Sequence, residues 1–250
     1  MKCLRLALMC CALSGSGVVG EAFAADGDPV GIYLPDVASP PAARAVAPRK
    51  VVEKYSDGKP RVEREAIQMS DEQFINHGSY VEYYANGNKY AEGTYKQGVY
   101  DGVWKFWYEN GQLCKEVKFA EGVPDGQWET RRADGTLRSV KAYKMGRREG
   151  RWIDYNDDGT TVKVEQVYAD GGLNGERIVY FPSGKPKQKA TLKNGVLDGE
   201  ITEWDEAGRK VAQFTLVDGK IHGVLRRWDA QGKETALEFD MGKRVSSTVN

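Results

Sequence analysis

The sequence predicts an all-β fold: an elongated antiparallel meander of about seven 24-residue β-hairpins, preceded by a signal peptide and a Pro-rich disordered lead-in. Three observations predict it. First, from residue 78 onward 21 of the 29 glycines fall into three columns at a period of 24, with one 25-residue unit. One runs from Gly78 through Gly102 to Gly223, and another from Gly98 through Gly122 to Gly242. The middle column is Gly87, Gly111, Gly135, Gly159, Gly184, Gly208 and Gly232. Second, Asn86, Asn110, Asp134 and Asp158 precede glycines of the middle column, and Asn-Gly and Asp-Gly suit a two-residue type I′ reversal. Third, the flanking residues are β-branched and aromatic, and no unit sustains a 3.6-residue period.

Taken in order, residues 1–24 read as a signal peptide. Lys2 and Arg5 make a basic start, LALMCCAL is apolar, and Ala22-Phe23-Ala24 places small residues at both positions that a cleavage site needs. The apolar run breaks at Ser14-Gly15-Ser16-Gly17, short of the ~20 residues that span a bilayer. The expected location is therefore the periplasm or the extracellular space, with no integral membrane segment after cleavage. Cleavage would leave Cys114 as the last thiol, expected to be a packed strand residue. Residues 25–48 hold five of the nine prolines and read as a disordered linker. Residues 49–75 form a degenerate capping repeat around Ser56-Asp57-Gly58, residues 76–244 the repeat domain, and 245–250 a tail.

Within a unit, a two-residue turn at Asn110-Gly111 would pair Tyr108 with Leu113, Phe106 with Lys115 and Trp104 with Val117. Alternation then puts Trp104, Phe106, Tyr108, Leu113, Val117 and Phe119 on one face, and Lys105, Trp107, Gln112, Cys114, Glu116 and Lys118 on the other. The first and third glycine columns would together make the wider bend into the next hairpin. In the first unit Tyr80 would face Gly93 and cover the gap that glycine leaves.

Two aromatic columns follow. Tyr80, Trp104, Trp128 and Trp152 lie two residues after the first glycine, and continue as Arg177, Ile201 and Leu225. Trp107, Tyr155, Tyr180, Trp204 and Trp228 lie five residues after it, on the opposite face. Both columns read first as packing ladders, and the second is the candidate binding strip.

The G-x-W-x-x-[YW] pattern, then [ND]-G, then a G-x-x-[DEN]-G bend, is seen in GVWKFWYENG with EGVPDG and in GRWIDYNDDG with DGGLNG. It resembles the bacterial variant of the MORN repeat, found in proteins of the YwqK family labelled as toxin–antitoxin antitoxins. The resemblance covers about residues 76–244. It implies a run of antiparallel hairpins used as an interaction surface, without catalytic residues. For an exported chain, the antitoxin label implies an immunity-like role.

Chemistry is sparse. His77 and His222, the two histidines, each precede a first-column glycine, a slot filled elsewhere by Asp101, Asp125, Glu149, Asn174 and Asp198. A polar residue at a bend is what turn chemistry asks for, so neither a metal site nor a general base is expected. No HExxH, paired CxxC or phosphate-cradling loop occurs, and no cofactor is expected. With 36 basic and 36 acidic residues, nothing draws the chain to nucleic acid. The expected function is an exported, noncatalytic protein-interaction scaffold, with an unidentified protein or a second copy as partner. The alternative is a carbohydrate or envelope-polymer binding module that stacks sugars on the aromatic strip.

Overall fold

The computed structural model describes residues 47–69 and 71–246. The expected signal peptide, nearly all of the Pro-rich lead-in and residues 247–250 lie outside them. The chain opens with β1 (Arg49–Lys54), β2 (Pro60–Gln68), β3 (Phe74–Tyr83), β4 (Lys89–Lys96), β5 (Val99–Trp107) and β6 (Leu113–Ala120). Next come β7 (Val123–Pro124), β8 (Gly126–Arg131), β9 (Leu137–Lys144), β10 (Arg147–Arg148), β11 (Gly150–Tyr155) and β12 (Val162–Ala169). Then follow β13 (Gly172–Tyr180), β14 (Pro186–Lys193), β15 (Val196–Trp204) and β16 (Lys210–Val217). β17 (Lys220–Trp228), β18 (Glu234–Asp240) and β19 (Lys243–Ser246) complete the set. Among the described residues there is no helix, and the 19 strands form one open antiparallel sheet in chain order, except that the short β7 and β10 are bypassed as β6 pairs with β8 and β9 with β11.

The reversals differ from the expectation in a specific way. The two-residue type I′ turns are at the third glycine column. Gln97-Gly98, Glu121-Gly122, Met145-Gly146, Asn194-Gly195 and Asp218-Gly219 have positive φ at both positions, and Lys96 pairs directly with Val99. At the middle column only the glycine is left-handed (Gly111, φ 84°), and Asn110 is not. The loop is therefore three residues long. Gly111 N–H bonds the Tyr108 carbonyl at 2.8 Å, and Tyr108 N–H bonds that of Gln112 at 2.9 Å. Asn110 is selected by its side chain, whose Oδ1 accepts the Gln112 N–H at 3.0 Å. Asn86, Asp134 and Asp158 do the same for Asn88, Thr136 and Thr160.

A three-residue loop shifts the register by one, and a β-bulge shifts it back. Phe106 pairs with Lys115 but Trp107 with Leu113, so Cys114 has no opposite number. The predicted pairs Trp104–Val117 and Phe106–Lys115 therefore hold, and Tyr108–Leu113 does not. The bulge turns two successive side chains inward. Cys114 leaves the solvent face expected for it, and Leu113, paired with Trp107, leaves the core face expected for it; both Cys114 and Lys115 are 0% exposed. That burial rules out an intermolecular disulfide through Cys114 in the folded chain. The first-column glycines sit in a second irregularity inside the strand, away from the bend. Between Glu92–Lys105 and Thr94–Asp101, β5 uses four residues where β4 uses two, and Gly102 (φ 70°) takes up the difference.

The core lies along the face that carries the first aromatic column. Trp104 is 1% exposed, and its ring fills the place that a Gly93 side chain would need. Tyr80 does pair with Gly93, but the ring covering it comes from β5 on the other side. Rings then pass contact from Tyr80 to Trp104, Tyr100, Phe119, Trp128, Tyr143, Trp152 and Tyr168, with successive centroids 4.5–5.6 Å apart. The indole N–H groups of Trp104, Trp128 and Trp152 donate to the carbonyls of Thr94, Lys118 and Ala142 at 2.9, 3.2 and 2.8 Å. Beyond Tyr168 the core turns aliphatic, with Ala190, Leu192, Ile201 and Leu216 packed together. The opposite face carries cross-strand ion pairs such as Lys105–Glu116 (3.4 Å) and Lys189–Glu176 (2.6 Å). Exposed pairs contribute roughly 0–1 kcal/mol each, so the ring spine carries most of the stability.

Met145 gives a direct test of the turn assignment. It is 78% exposed with φ 47°, a conformation that a non-glycine residue adopts at a cost of about 1 kcal/mol. Met145→Asn keeps the N–H that bonds Asp125 Oδ1 at 3.1 Å and tolerates positive φ better. It is expected to raise stability by about 0.5–1 kcal/mol, read from the urea midpoint.

Candidate interaction surface

The five strip residues occupy equivalent ends of their strands. Trp107, Tyr155, Tyr180, Trp204 and Trp228 are the last residues of β5, β11, β13, β15 and β17, each at the entry to a loop of three residues, or four after Tyr155. Alternation along β5 places Trp107 on the face opposite Trp104, and all five side chains are half-buried. Among the described residues no ring contact joins one strip member to the next. Equivalent strands are two apart, about 9.5 Å, which is too far for rings to stack. Lys89 Nζ lies 5.7 Å from the Trp107 ring, and the Tyr180 hydroxyl donates to Glu165 Oε2 at 3.4 Å. Burial, and then the neighbouring Glu165 carboxylate, raise the Tyr180 hydroxyl above its ordinary value, so it stays a donor.

Beside the strip, neighbouring loops are stitched by two tiers of hydrogen bonds that sequence reasoning missed. In the inner tier, Tyr55, Tyr84 and Tyr108 donate their hydroxyls to the carbonyls of Tyr83, Trp107 and Arg131 at 2.6, 2.9 and 2.8 Å. Arg132 Nη2 reaches the Tyr155 carbonyl at 3.0 Å. In the outer tier Asn86 and Asn88 both reach the Glu109 carbonyl, Asn110 that of Ala133, Lys185 that of Glu206, and Arg209 that of Ala230, at 2.8–3.2 Å. The signal was present as a column at positions 84 and 108, one residue after the strip. It was masked because tyrosine gives way to Arg132, Asn156, Phe181, Asp205 and Asp229.

One break in the inner tier is at Asn156, whose buried Nδ2 has no hydrogen-bond partner among the described residues. An unsatisfied buried donor costs about 1–3 kcal/mol, and a longer side chain would reach the next loop. Asn156→Tyr is expected to stabilise the protein by about 1 kcal/mol, seen as a raised urea midpoint with unchanged far-UV circular dichroism.

The polar slot before the first glycine has a structural use. His77 Nδ1 accepts the Gln97 N–H at 3.2 Å, Asp125 accepts that of Met145 at 3.1 Å, and Glu149 Oε2 that of Asp170 at 3.1 Å. These acceptors satisfy the first residue of the type I′ turns at Gln97, Met145 and Asp170. Among the described residues no cluster of three or more His, Cys, Asp or Glu could hold a metal. No helix among them is long and apolar enough to cross a membrane.

The loops also confer acid sensitivity. The Asp134 carboxyl is held below its usual range by the Thr136 hydroxyl and N–H, and that of Asp158 by the Thr161 hydroxyl and the Thr160 N–H. A depressed folded-state pKa gives stability that is present above the ordinary carboxylate range and lost as pH falls through the folded value. Asp134→Asn with Asp158→Asn is expected to flatten the pH dependence of the thermal midpoint below about pH 4.

A groove of about 540 Å³ opens between the loops that follow β15 and β17. Asp205, Arg209, Lys210, Val211, Trp228 and Asp229 line it, so one strip member, Trp228, forms a wall. Trp107, Tyr155, Tyr180 and Trp204 stand outside it.

Comparison with curated proteins finds no match. Among solved structures the chain is similar to "Crystal Structure of TcdB2-TccC3-Cdc42", at 10% identity over 75% of this chain and 15% of that one, with a TM-score of 0.16. It is likewise similar to "Crystal Structure of TcdB2-TccC3-TEV", at 12% identity over 78% and 15%, with a TM-score of 0.17. The chain spans about 15% of the length of those chains, and superpositions this poor say nothing about its fold. The repeat itself is matched: residues 76–97, 100–121 and 173–194 each match the MORN repeat variant.

Proposed function

We propose that this chain is a noncatalytic protein-interaction scaffold exported to the cell envelope, and that its aromatic strip is the contact surface. One observation carries the reading. The spine from Tyr80 to Tyr168 already fills the core, yet a second set of large rings recurs half-exposed on the other face, where the fold has no need of them. A repeat array presents such residues at regular intervals along an extended surface. Export rests on the order of basic, apolar and small residues in 1–24. An immunity-like role is the form of the antitoxin label that fits an exported chain.

A photocrosslinking side chain placed at Trp204 in the native host is expected to yield a discrete protein adduct. The same group at Met145, at the opposite end of the hairpins, should yield none. An adduct to glycan polymer would replace this reading with the carbohydrate-binding one, and equal adducts at both positions would remove the strip from consideration. Export is tested by the mass of the mature chain, which should begin at Ala25.

A further inference from the structure

The groove beside Trp228 lies at a place where the inner tier lacks a rung. In the first two full units a tyrosine, Tyr84 or Tyr108, lies between adjacent loops and donates its hydroxyl to the carbonyl of the next strip residue. The sixth unit has Asp205 at that position. Its short side chain is held in its own loop by Arg209, Nη2 to Oδ2 at 2.7 Å, and cannot span the gap. Val211 and the Trp228 ring leave an apolar space of the size that takes a ring. By repeat position, the Trp228 carbonyl corresponds to the Trp107 carbonyl that accepts from Tyr84.

The charges around the space are unequal in what they already bind. Asp205 is neutralised by Arg209, and Asp229 accepts the N–H groups of Gln231 and Lys233 at 3.0 and 2.9 Å. Among the described residues Lys210 makes no ion pair, and its Nζ donates to the Gln213 side-chain oxygen at 3.3 Å.

We propose that this groove binds a tyrosine side chain of a partner protein, flanked by an acidic residue. The ring lies where Tyr84 and Tyr108 lie in their own units, the hydroxyl donates to the Trp228 carbonyl, and the flanking carboxylate pairs with Lys210. The inference rests on the scaffold reading and narrows it to one pocket and one kind of side chain. Tyrosine suits such a role because it combines a rigid apolar body with a single directed donor.

The test uses the full chain and the blocked dipeptide N-acetyl-glutamyl-tyrosine amide, followed by the NMR shift of the Trp228 indole N–H. Saturable binding is expected, with N-acetyl-glutamyl-leucine amide weaker by roughly tenfold or more. Asp205→Tyr supplies the missing rung internally, so it should raise the thermal midpoint and abolish peptide binding. Val211→Phe fills the same space from the other wall with the Asp205–Arg209 pair intact, and should also abolish binding. Absence of binding to the parent chain, equal binding by Asp205→Tyr or Val211→Phe, or equal affinity for the leucine peptide would each overturn the proposal. Crosslinking at Trp204 would still report on the scaffold reading in those cases.

Discussion

Trp104→Ala is expected to cost about 3–5 kcal/mol, the range for removing a large aromatic from a well-packed core. The indole is 1% exposed and touches Tyr80, Tyr95, Tyr100 and Phe106, with centroids 4.5–6.0 Å away. Its N–H also satisfies the Thr94 carbonyl at the irregularity between β4 and β5. The mutation therefore opens a cavity and exposes a strand at one place. In an array of repeats the loss is felt locally before it is felt globally, so the readout is amide hydrogen exchange. Protection should fall in β4–β6 by far more than in β15–β18. A uniform loss across the sheet would contradict the packing described.

Gly93→Ala is the second large effect, expected at about 2–3 kcal/mol. A Cβ there would sit 2.2 Å from Trp104 Cδ2 and 2.3 Å from Cε2, well inside contact distance. The backbone of β4 is held by ladders on both sides, and the indole is fixed by its hydrogen bond, so neither yields cheaply. The same substitution in a Trp104→Ala background should cost less than about 0.5 kcal/mol, because the clashing ring is gone. Additive free energies in that double-mutant cycle would show that the cost of Gly93→Ala comes from strand propensity rather than from the indole.

The repeat, the strand content and the pairs Trp104–Val117 and Phe106–Lys115 were legible in the sequence because glycine spacing and alternation report them directly. The split of the aromatics between two faces was legible for the same reason. Turn type was not. Asn-Gly favours a type I′ turn when positive φ is the only consideration, but here the Asn110 side chain binds the Gln112 N–H and keeps its own backbone out of the left-handed region. The tight turns went instead to pairs such as Glu121-Gly122 and Met145-Gly146, whose first residues carry no such signal. The compensating bulge was hidden with it, and so was the inward turn of Cys114 and Lys115. Gly93 stands outside the three columns, so its role as the bed of an indole emerges only when β5 is laid beside β4. The strip residues could be named from spacing, whereas the groove depends on what Asp205 fails to do, and that absence has meaning only beside Tyr84 and Tyr108.

The meander order of the strands also bears on how the chain reaches this state. Every pairing closes between segments near one another along the chain, so each step fixes only a short stretch and loses little loop entropy. Sheets built this way have low contact order for an all-β protein and assemble without a long-range search. The ring-rich first half, from Tyr80 to Tyr168, holds the continuous ring contacts and would serve as the seed. The aliphatic second half would then be added to it hairpin by hairpin, like teeth closing on a zip.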